Sequence, residues 1–211
     1  SAKDPDFSSK LLNKIICLNE NSNVEIIIIF TKLDLLSSEE FENIQRIMNY
    51  YKEIGYNVFS NNDEDIDEFK NIVSQKYVSI SGQSGAGKST FINKISSNLD
   101  IETGEISKHL GRGRHTTRHT EFYRIDDFYI ADTPGFSSLD LTFIEKEDIQ
   151  YLFKEFAEYE CKFKPCNHIE EIQCGVKHAV EEQAILQSRY DDYKALFKEK
   201  ETQKRKYIKE K

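Results

Sequence analysis

The sequence predicts an α/β domain, with a mostly parallel sheet and flanking helices, followed by a small helical unit. Three observations carry this. Tyr77–Thr90, YVSISGQSGAGKST, alternates β-branched residues and then breaks into glycines and a helix-compatible run, which is the pattern of a strand, a phosphate-binding loop and a helix start. Val24–Phe30, VEIIIIF, is the nearly continuous β-branched sequence that a buried parallel strand needs. Cys161, Cys166, His168 and Cys174 share one short window, spaced C-x4-C-x-H-x5-C, with Pro165 supplying a turn. Four ligands of this softness suit tetrahedral Zn²⁺, and a set with no open position reads as structural.

A chain of 211 residues holds one good core and a small second one. The net charge of −8 excludes a protein that coats nucleic acid by bulk electrostatics, since such affinity comes from many Lys and Arg releasing counterions. The longest apolar run is strand-sized and interrupted by Glu25, so no membrane span is expected. The start does not resemble a signal peptide, and cysteines beside a histidine in such a chain point to metal in a reducing cytosol before a disulfide.

Taken in order, Asp4-Pro5-Asp6 with Phe7, Leu11, Leu12, Ile15 and Ile16 predicts a helix with Pro in its first turn, and Cys17 ends its apolar stripe as a small buried hydrophobe. Thr31-Lys32-Leu33-Asp34 follows the Val24–Phe30 strand. Alone it is a loop or a cap; beside a phosphate loop it resembles the guanine motif [NT]-K-x-D, with Thr31 in place of the commoner asparagine. Asp34 would then accept from the base's ring N–H and amine while the Lys32 stem covers its face. Ser37-x-x-Glu40 is a capping box before an amphipathic helix bearing Phe41, Ile44, Ile47, Met48 and Tyr51, and Gly55 ends it. Tyr56–Ser60 reads as a strand, with Ser60 where a guanine-contacting S-A loop would stand, although Asn61 follows it. The acidic run after it predicts a helix N-terminus, with Ile66, Phe69, Ile72 and Val73 facing a core.

In the phosphate loop, Gly82, Gly87, Lys88 and Ser89 fill G-x-x-x-x-G-K-[ST]. The stretch Gly82, Gln83, Ser84, Gly85, Ala86, Gly87, Lys88, Ser89 and Thr90 is the candidate nucleotide cradle, with Lys88 reaching the β- and γ-phosphates and Ser89 holding Mg²⁺. Phe91, Ile92 and Ile95 continue its helix. LGRGRHTTRHT then reads as a basic anion-binding loop, with Gly111 and Gly113 as hinges. Thr120–Asp126 and Asp127–Ala131 predict an antiparallel hairpin that delivers Asp132-Thr133-Pro134-Gly135, the pattern D-x-x-G. Asp132 would reach Mg²⁺ through water and the Gly135 N–H would bind the γ-phosphate. Past it, Glu147–Tyr159 and Ala184–Phe197 predict two helices flanking the metal ligands, too few to form a core without a metal staple. His178 is a spare histidine.

The guanine motif precedes the phosphate loop and D-x-x-G, whereas an ordinary GTPase has it last, so the P-loop GTPase domain looks circularly permuted. GQSGAGKST, GRHTT and DTPGFSS together with the Cys3His set resemble the ribosome small-subunit-dependent GTPase A family over essentially the whole chain. That resemblance implies a permuted GTPase domain over 1–144 and a helical zinc-binding domain over 145–211. It further implies GTP/GDP, Mg²⁺ and one structural Zn²⁺ as cofactors, hydrolysis stimulated by the small ribosomal subunit, contact with its rRNA, a monomer and a cytoplasmic site. Phe136 stands where Ras-like enzymes place a water-orienting glutamine, and the resemblance puts His115 in that role, with Thr117 offering its hydroxyl to Mg²⁺; Thr116, His109 and His119 are the alternatives. Family members carry an OB-type domain ahead of the GTPase domain, so a truncation with Ser1-Ala2 as a cloning remnant is expected. Two rivals share these motifs: a permuted GTPase of large-subunit assembly, and a nucleotide-gated binding module with negligible turnover.

Overall fold

A computed structural model describes residues 1–96, 121–132 and 141–209, and its first helix begins later than the sequence suggests. Helix α1 spans Ser9–Asn21, and its cap is Ser8, whose side chain accepts from the Leu11 N–H. Pro5 is not in its first turn, because residues Ser1–Phe7 are drawn away to pack elsewhere. Ala2 is buried and its N–H donates to the Thr31 carbonyl at 3.0 Å, so the first residues pack against the guanine motif. Strand β1 is Ile27–Phe30, shorter than the apolar run that announces it. Helix α2, Ser38–Glu53, has the expected capping box: the Ser37 N–H donates to Glu40 Oε2 at 2.7 Å and the Glu40 N–H to Ser37 Oγ at 3.3 Å.

Strand β2 (Asn57–Ser60), helix α3 (Asp63–Val73), strand β3 (Tyr77–Ser79) and helix α4 (Lys88–Ile95) follow, and β4 (Glu121–Ile125) and β5 (Phe128–Asp132) close the hairpin. By contacts, the described residues fall into two units. The first takes those within Ser1–Phe7, Ile27–Tyr51 and Asn57–Ser138; the second takes Ser8–Ile26, Lys52–Tyr56 and those within Leu139–Lys211.

In the first unit, β1 and β2 pair in parallel, with Phe30 beside Ser60, and a second sheet has the order β3-β5-β4. There β3 and β5 are parallel, with Ser79 beside Ala131, while β4 runs antiparallel to β5. Both sheets rest on one core, in which Phe69 meets Phe91 and Phe128 edge-on at centroid distances of 5.2 and 6.2 Å. The hairpin turn at Asp126-Asp127 is fastened to α3, since Lys70 pairs with Asp126 at 2.9 Å and Ser74 Oγ donates to Asp127 at 2.6 Å. Parallel pairing matters for function because it brings strand C-termini, and the loops after them, to one edge.

The second unit has a larger core than its C-terminal sequence promises. Ile16 and Cys17 of α1 are fully buried, and Cys17 shares a cluster with Ile149, Phe153, Val176, Tyr193 and Leu196. Beneath the apolar contacts lies a buried polar network. Arg189 Nε and Nη2 donate to the two oxygens of Glu155 at 2.8 and 3.1 Å, Arg189 Nη1 donates to Asn13 Oδ1 at 2.6 Å, and Asn13 Nδ2 donates to Asp192 at 2.7 Å. The bidentate geometry satisfies the guanidinium in a place where an unpaired charge would be prohibitive. The expected helix over Glu147–Tyr159 is instead two 3₁₀ segments, Lys146–Leu152 and Lys154–Glu158. Its apolar residues come in pairs three apart, Ile149 with Leu152 and Phe153 with Phe156, and that spacing fits a three-residue turn as well as it fits one face of an α-helix. Helix α5 (Gly175–Glu181) and the long α6 (Gln187–Lys209) complete the unit.

Candidate functional site

The phosphate loop lies between β3 and α4. Gly85 and Gly87 adopt φ of +79° and +83°, and Gly87 serves as the N-cap of α4. A Cβ at Gly87 would meet Thr31 at an ordinary contact distance of 3.6 Å, so it is the positive φ that calls for glycine here. The Lys88 ammonium donates to the carbonyls of Gly82 (2.8 Å) and Gln83 (2.5 Å), which holds it across the loop, and burial lowers its pKa from the usual lysine value. Gly82, Gln83, Ser84 and Gly85 face solvent, Ala86 is buried, and Ser89 and Thr90 lie in the first turn of α4, whose N-terminus favours anions. Glycines at positive φ, a lysine held across the loop and a hydroxyl in the first helical turn are the parts that a nucleotide's phosphates and Mg²⁺ require.

The guanine motif sits at the C-terminal end of β1. Thr31 Oγ1 donates to the Ala86 carbonyl at 2.7 Å, so the hydroxyl ties this motif to the phosphate loop and explains how threonine serves at this position. Lys32 is held in a left-handed turn, φ 60° and ψ 33°, and its ammonium donates to the Asp4 carbonyl. Pro5 packs on Gly85, within 3.7 Å of where a Cβ would stand. The segment Ala2–Phe7 therefore touches both loops, a role that its helix-like apolar spacing hid. Asp34 lies in the 3₁₀ turn Leu33–Leu35 with its carboxylate exposed, not buried as its selectivity would suggest. At the end of β2, Ser60 is buried, its N–H donates to Asp65 Oδ2 at 2.6 Å, and Lys94 of α4 donates to the neighbouring Asn61 carbonyl at 2.6 Å. Asp132 ends β5, one residue past the Ala131–Ser79 pair, so D-x-x-G starts at the edge from which the phosphate loop departs. Gly135, His115 and Thr117 lie outside the described residues, as do Thr116, His109 and His119.

Thr31→Val keeps the shape and removes the donor, leaving the buried Ala86 carbonyl without it. The expected cost is about 1–2 kcal/mol, read as a roughly tenfold weaker GDP affinity by fluorescence titration. Unchanged affinity would mean that the two loops hold together without this bond.

The four predicted metal ligands converge in the second unit. Their ligand atoms all lie within 4.8 Å of one another. Nδ1 of His168 is 3.4 Å from Cys161 Sγ, 3.5 Å from Cys166 Sγ and 3.3 Å from Cys174 Sγ, and the Cys161 and Cys174 sulfurs are 3.6 Å apart. A tetrahedron with Zn–S of about 2.3 Å and Zn–N of about 2.0 Å has edges of roughly 3.5–3.8 Å, so the set fits zinc, with Nδ1 as the histidine ligand. All four cysteines of the chain are free thiols here, which removes the disulfide alternative. His178 stands apart, exposed, 3.2 Å from Glu182.

A supporting layer, invisible in the motif, shapes the metal loop. Glu171 accepts from the N–H groups of Asn167 (2.7 Å) and Ile169 (2.8 Å), while Tyr190 and Tyr193 of α6 donate their hydroxyls to the carbonyls of His168 (2.6 Å) and Asn167 (2.5 Å). The Gly175 N–H donates to Cys161 Sγ at 3.3 Å. Burial raises the Cys161 pKa, but this N–H and its neighbours outweigh it and hold the thiol below its usual value. Burial pushes the Cys166 thiol up to about 12 and lowers the His168 pKa, keeping the imidazole neutral as a ligand must be.

Guanine motif, phosphate loop and the start of D-x-x-G, met in that order along the chain, define a circularly permuted P-loop GTPase domain, here joined to a Cys3His zinc-type unit. The family model described as RsgA GTPase matches residues 1–142, and the chain belongs to that family. Two relatives, each called small ribosomal subunit biogenesis GTPase RsgA, come from Staphylococcus saprophyticus and Bacillus cereus. Both are 43% identical, over 210 and 213 residues, and the match covers 98% of this chain and 72% of each relative. Among solved structures, YjeQ from Thermotoga maritima superposes with a TM-score of 0.78 at 31% identity, covering 94% of this chain and 68% of that one. YloQ, described as a circularly permuted GTPase, has a TM-score of 0.75 at 34% identity, with coverage of 96% and 66%.

Proposed function

We propose that the protein binds and hydrolyses GTP in the maturation of the small ribosomal subunit, with a permuted GTPase domain over 1–144 and a zinc-binding domain over 145–211. The observation that carries the reading is that the similarity to named small-subunit biogenesis GTPases runs through 98% of the chain, across nucleotide motifs and metal ligands alike. Cys161, Cys166, His168 and Cys174 would hold zinc as the staple of a metal knuckle, and Mg²⁺, when bound, would neutralise phosphate charge. Lys88 and the Gly82–Thr90 backbone bind the β- and γ-phosphates, and Ser89, Thr117 and Asp132 are the residues that would hold the cation. The Gly135 N–H grips the γ-phosphate. Thr31, Lys32, Asp34 and Ser60 form the base pocket. His115 orients the attacking water, because Phe136 neither donates nor accepts a hydrogen bond. The partner is the small subunit with its rRNA, met by a monomer in the cytoplasm; among the described residues no helix is long and apolar enough to cross a membrane.

The test is single-turnover GTP hydrolysis with and without purified small subunits. Strong stimulation by small but not large subunits is expected. Equal rates with and without them would overturn the enzymatic reading and leave a nucleotide-gated binding module. His115→Ala should lower the stimulated rate about a hundredfold while GTP affinity stays within a factor of about three. Parallel losses of rate and affinity would assign His115 to binding instead.

A further inference from the structure

Between its first two ligands the metal knuckle carries Lys162-Phe163-Lys164-Pro165, and these four residues are exposed. Phe163 leaves 51% of its surface to solvent, and Ile172 on the opposite arm leaves 72%. These are not loose side chains on a loose loop. The Lys162 N–H donates to the Gln173 carbonyl at 3.3 Å, which ties together the two arms that carry Phe163 and Ile172. Behind them the loop is pinned by Glu171, Tyr190 and Tyr193. The Lys162 ammonium lies over the Phe163 ring, 5.6 Å from its centroid, so a cation already stands against one face of the aromatic.

Charge decides what fits here. From Cys161 to His168 there is no carboxylate, in a chain whose net charge is −8, and Glu171 turns its carboxylate inward onto two backbone N–H groups. Glu160 and Glu170 are exposed on either side, so the positive patch is no wider than one or two phosphates. A duplex or an anionic membrane would bring its charge against those flanking carboxylates. An unpaired nucleotide would not: its base stacks on one aromatic ring while adjacent lysines meet the phosphates before and after it.

We propose that Lys162, Phe163 and Lys164 at the knuckle tip dock an unpaired nucleotide of single-stranded RNA, an inference that rests on the small-subunit reading above. The knuckle is then a recognition tip as well as a structural staple, and zinc matters to it by fixing the direction in which Phe163 points.

The experiment uses the zinc-loaded chain and two probes, purified small subunits in co-sedimentation and a fluorescein-labelled twelve-nucleotide oligo(U) in anisotropy. Phe163→Leu keeps the apolar bulk and removes the ring face; it should weaken both interactions roughly tenfold. Lys162→Gln/Lys164→Gln should lower the slope of log K against log salt for oligo(U) by about 1.4. Zinc stoichiometry and GDP affinity should not change; if the double variant loses zinc, Lys164→Gln alone replaces it and should lower the slope by about 0.7. Variants that bind both probes like the parent overturn the proposal while leaving the small-subunit reading intact. Weakened subunit binding with unchanged oligo(U) binding assigns the tip to a ribosomal protein and also overturns it. A parent chain that binds neither probe removes both readings together.

Discussion

Asp34→Asn should convert the chain from guanine to xanthine recognition. The carboxylate of Asp34 is exposed on the turn after Lys32, and in the proposed base pocket it would accept from the ring N–H and the exocyclic amine of guanine. An amide in its place aims a donor at the guanine amine, whereas xanthine puts a carbonyl there. GTP affinity should therefore fall roughly a hundredfold or more and XTP affinity should rise, since sites built on paired hydrogen bonds discriminate strongly against a mismatched donor. Competition titrations of GTP, XTP and ATP read it directly. A variant that still prefers GTP over XTP by the parental margin removes Thr31–Asp34 from the base pocket.

Gly175→Ala takes zinc away from the chain without touching a ligand. A Cβ built on Gly175 would stand 2.3 Å from the Glu160 carbonyl oxygen and 2.9 Å from its carbon, both backbone atoms that no rotamer change can move. The residues forced apart carry Cys174 on one side and Cys161 on the other, and the Gly175 N–H bond to Cys161 Sγ goes with them. A destabilisation of about 3 kcal/mol is expected, with zinc falling well below one per chain. Metal analysis and amide exchange over 159–175 give the answer. Full zinc with unaltered protection would show that the knuckle absorbs the methyl group by shifting as a whole.

The parts legible in the sequence were those whose chemistry needs consecutive residue types. The phosphate loop, the guanine motif and the Cys3His spacing are such patterns, and so are the Ser37–Glu40 capping box and the Asp126-Asp127 hairpin. What stayed hidden depends on where distant segments meet. Pro5 looks like a helix start until Lys32 and Gly85 are seen beside it. Tyr190 and Tyr193 fall inside the predicted helix Ala184–Phe197, and only the fold shows their hydroxyls bonding the metal loop. The α-helix expected over Glu147–Tyr159 failed because spacings of three and four coexist there, and neither a side-chain cap nor a long run settles the choice. Helix α1 gave no sign that it counts with the last helix, since nothing in an apolar stripe names its partner.

That last arrangement has a cost in time. Asn13 and Lys14 find their partners Arg189, Asp192 and Glu199 at sequence separations of 176 to 185 residues. At translation speeds of about 5–20 residues per second, α1 waits roughly ten to forty seconds before α6 emerges to cover Ile16 and Cys17. Closing so long a loop also carries an entropic cost of roughly 4–5 kcal/mol, which the buried contacts must offset at the final step. The second unit thus assembles late, α1 against α6, and synthesis that stops before α6 leaves the apolar face of α1 bare.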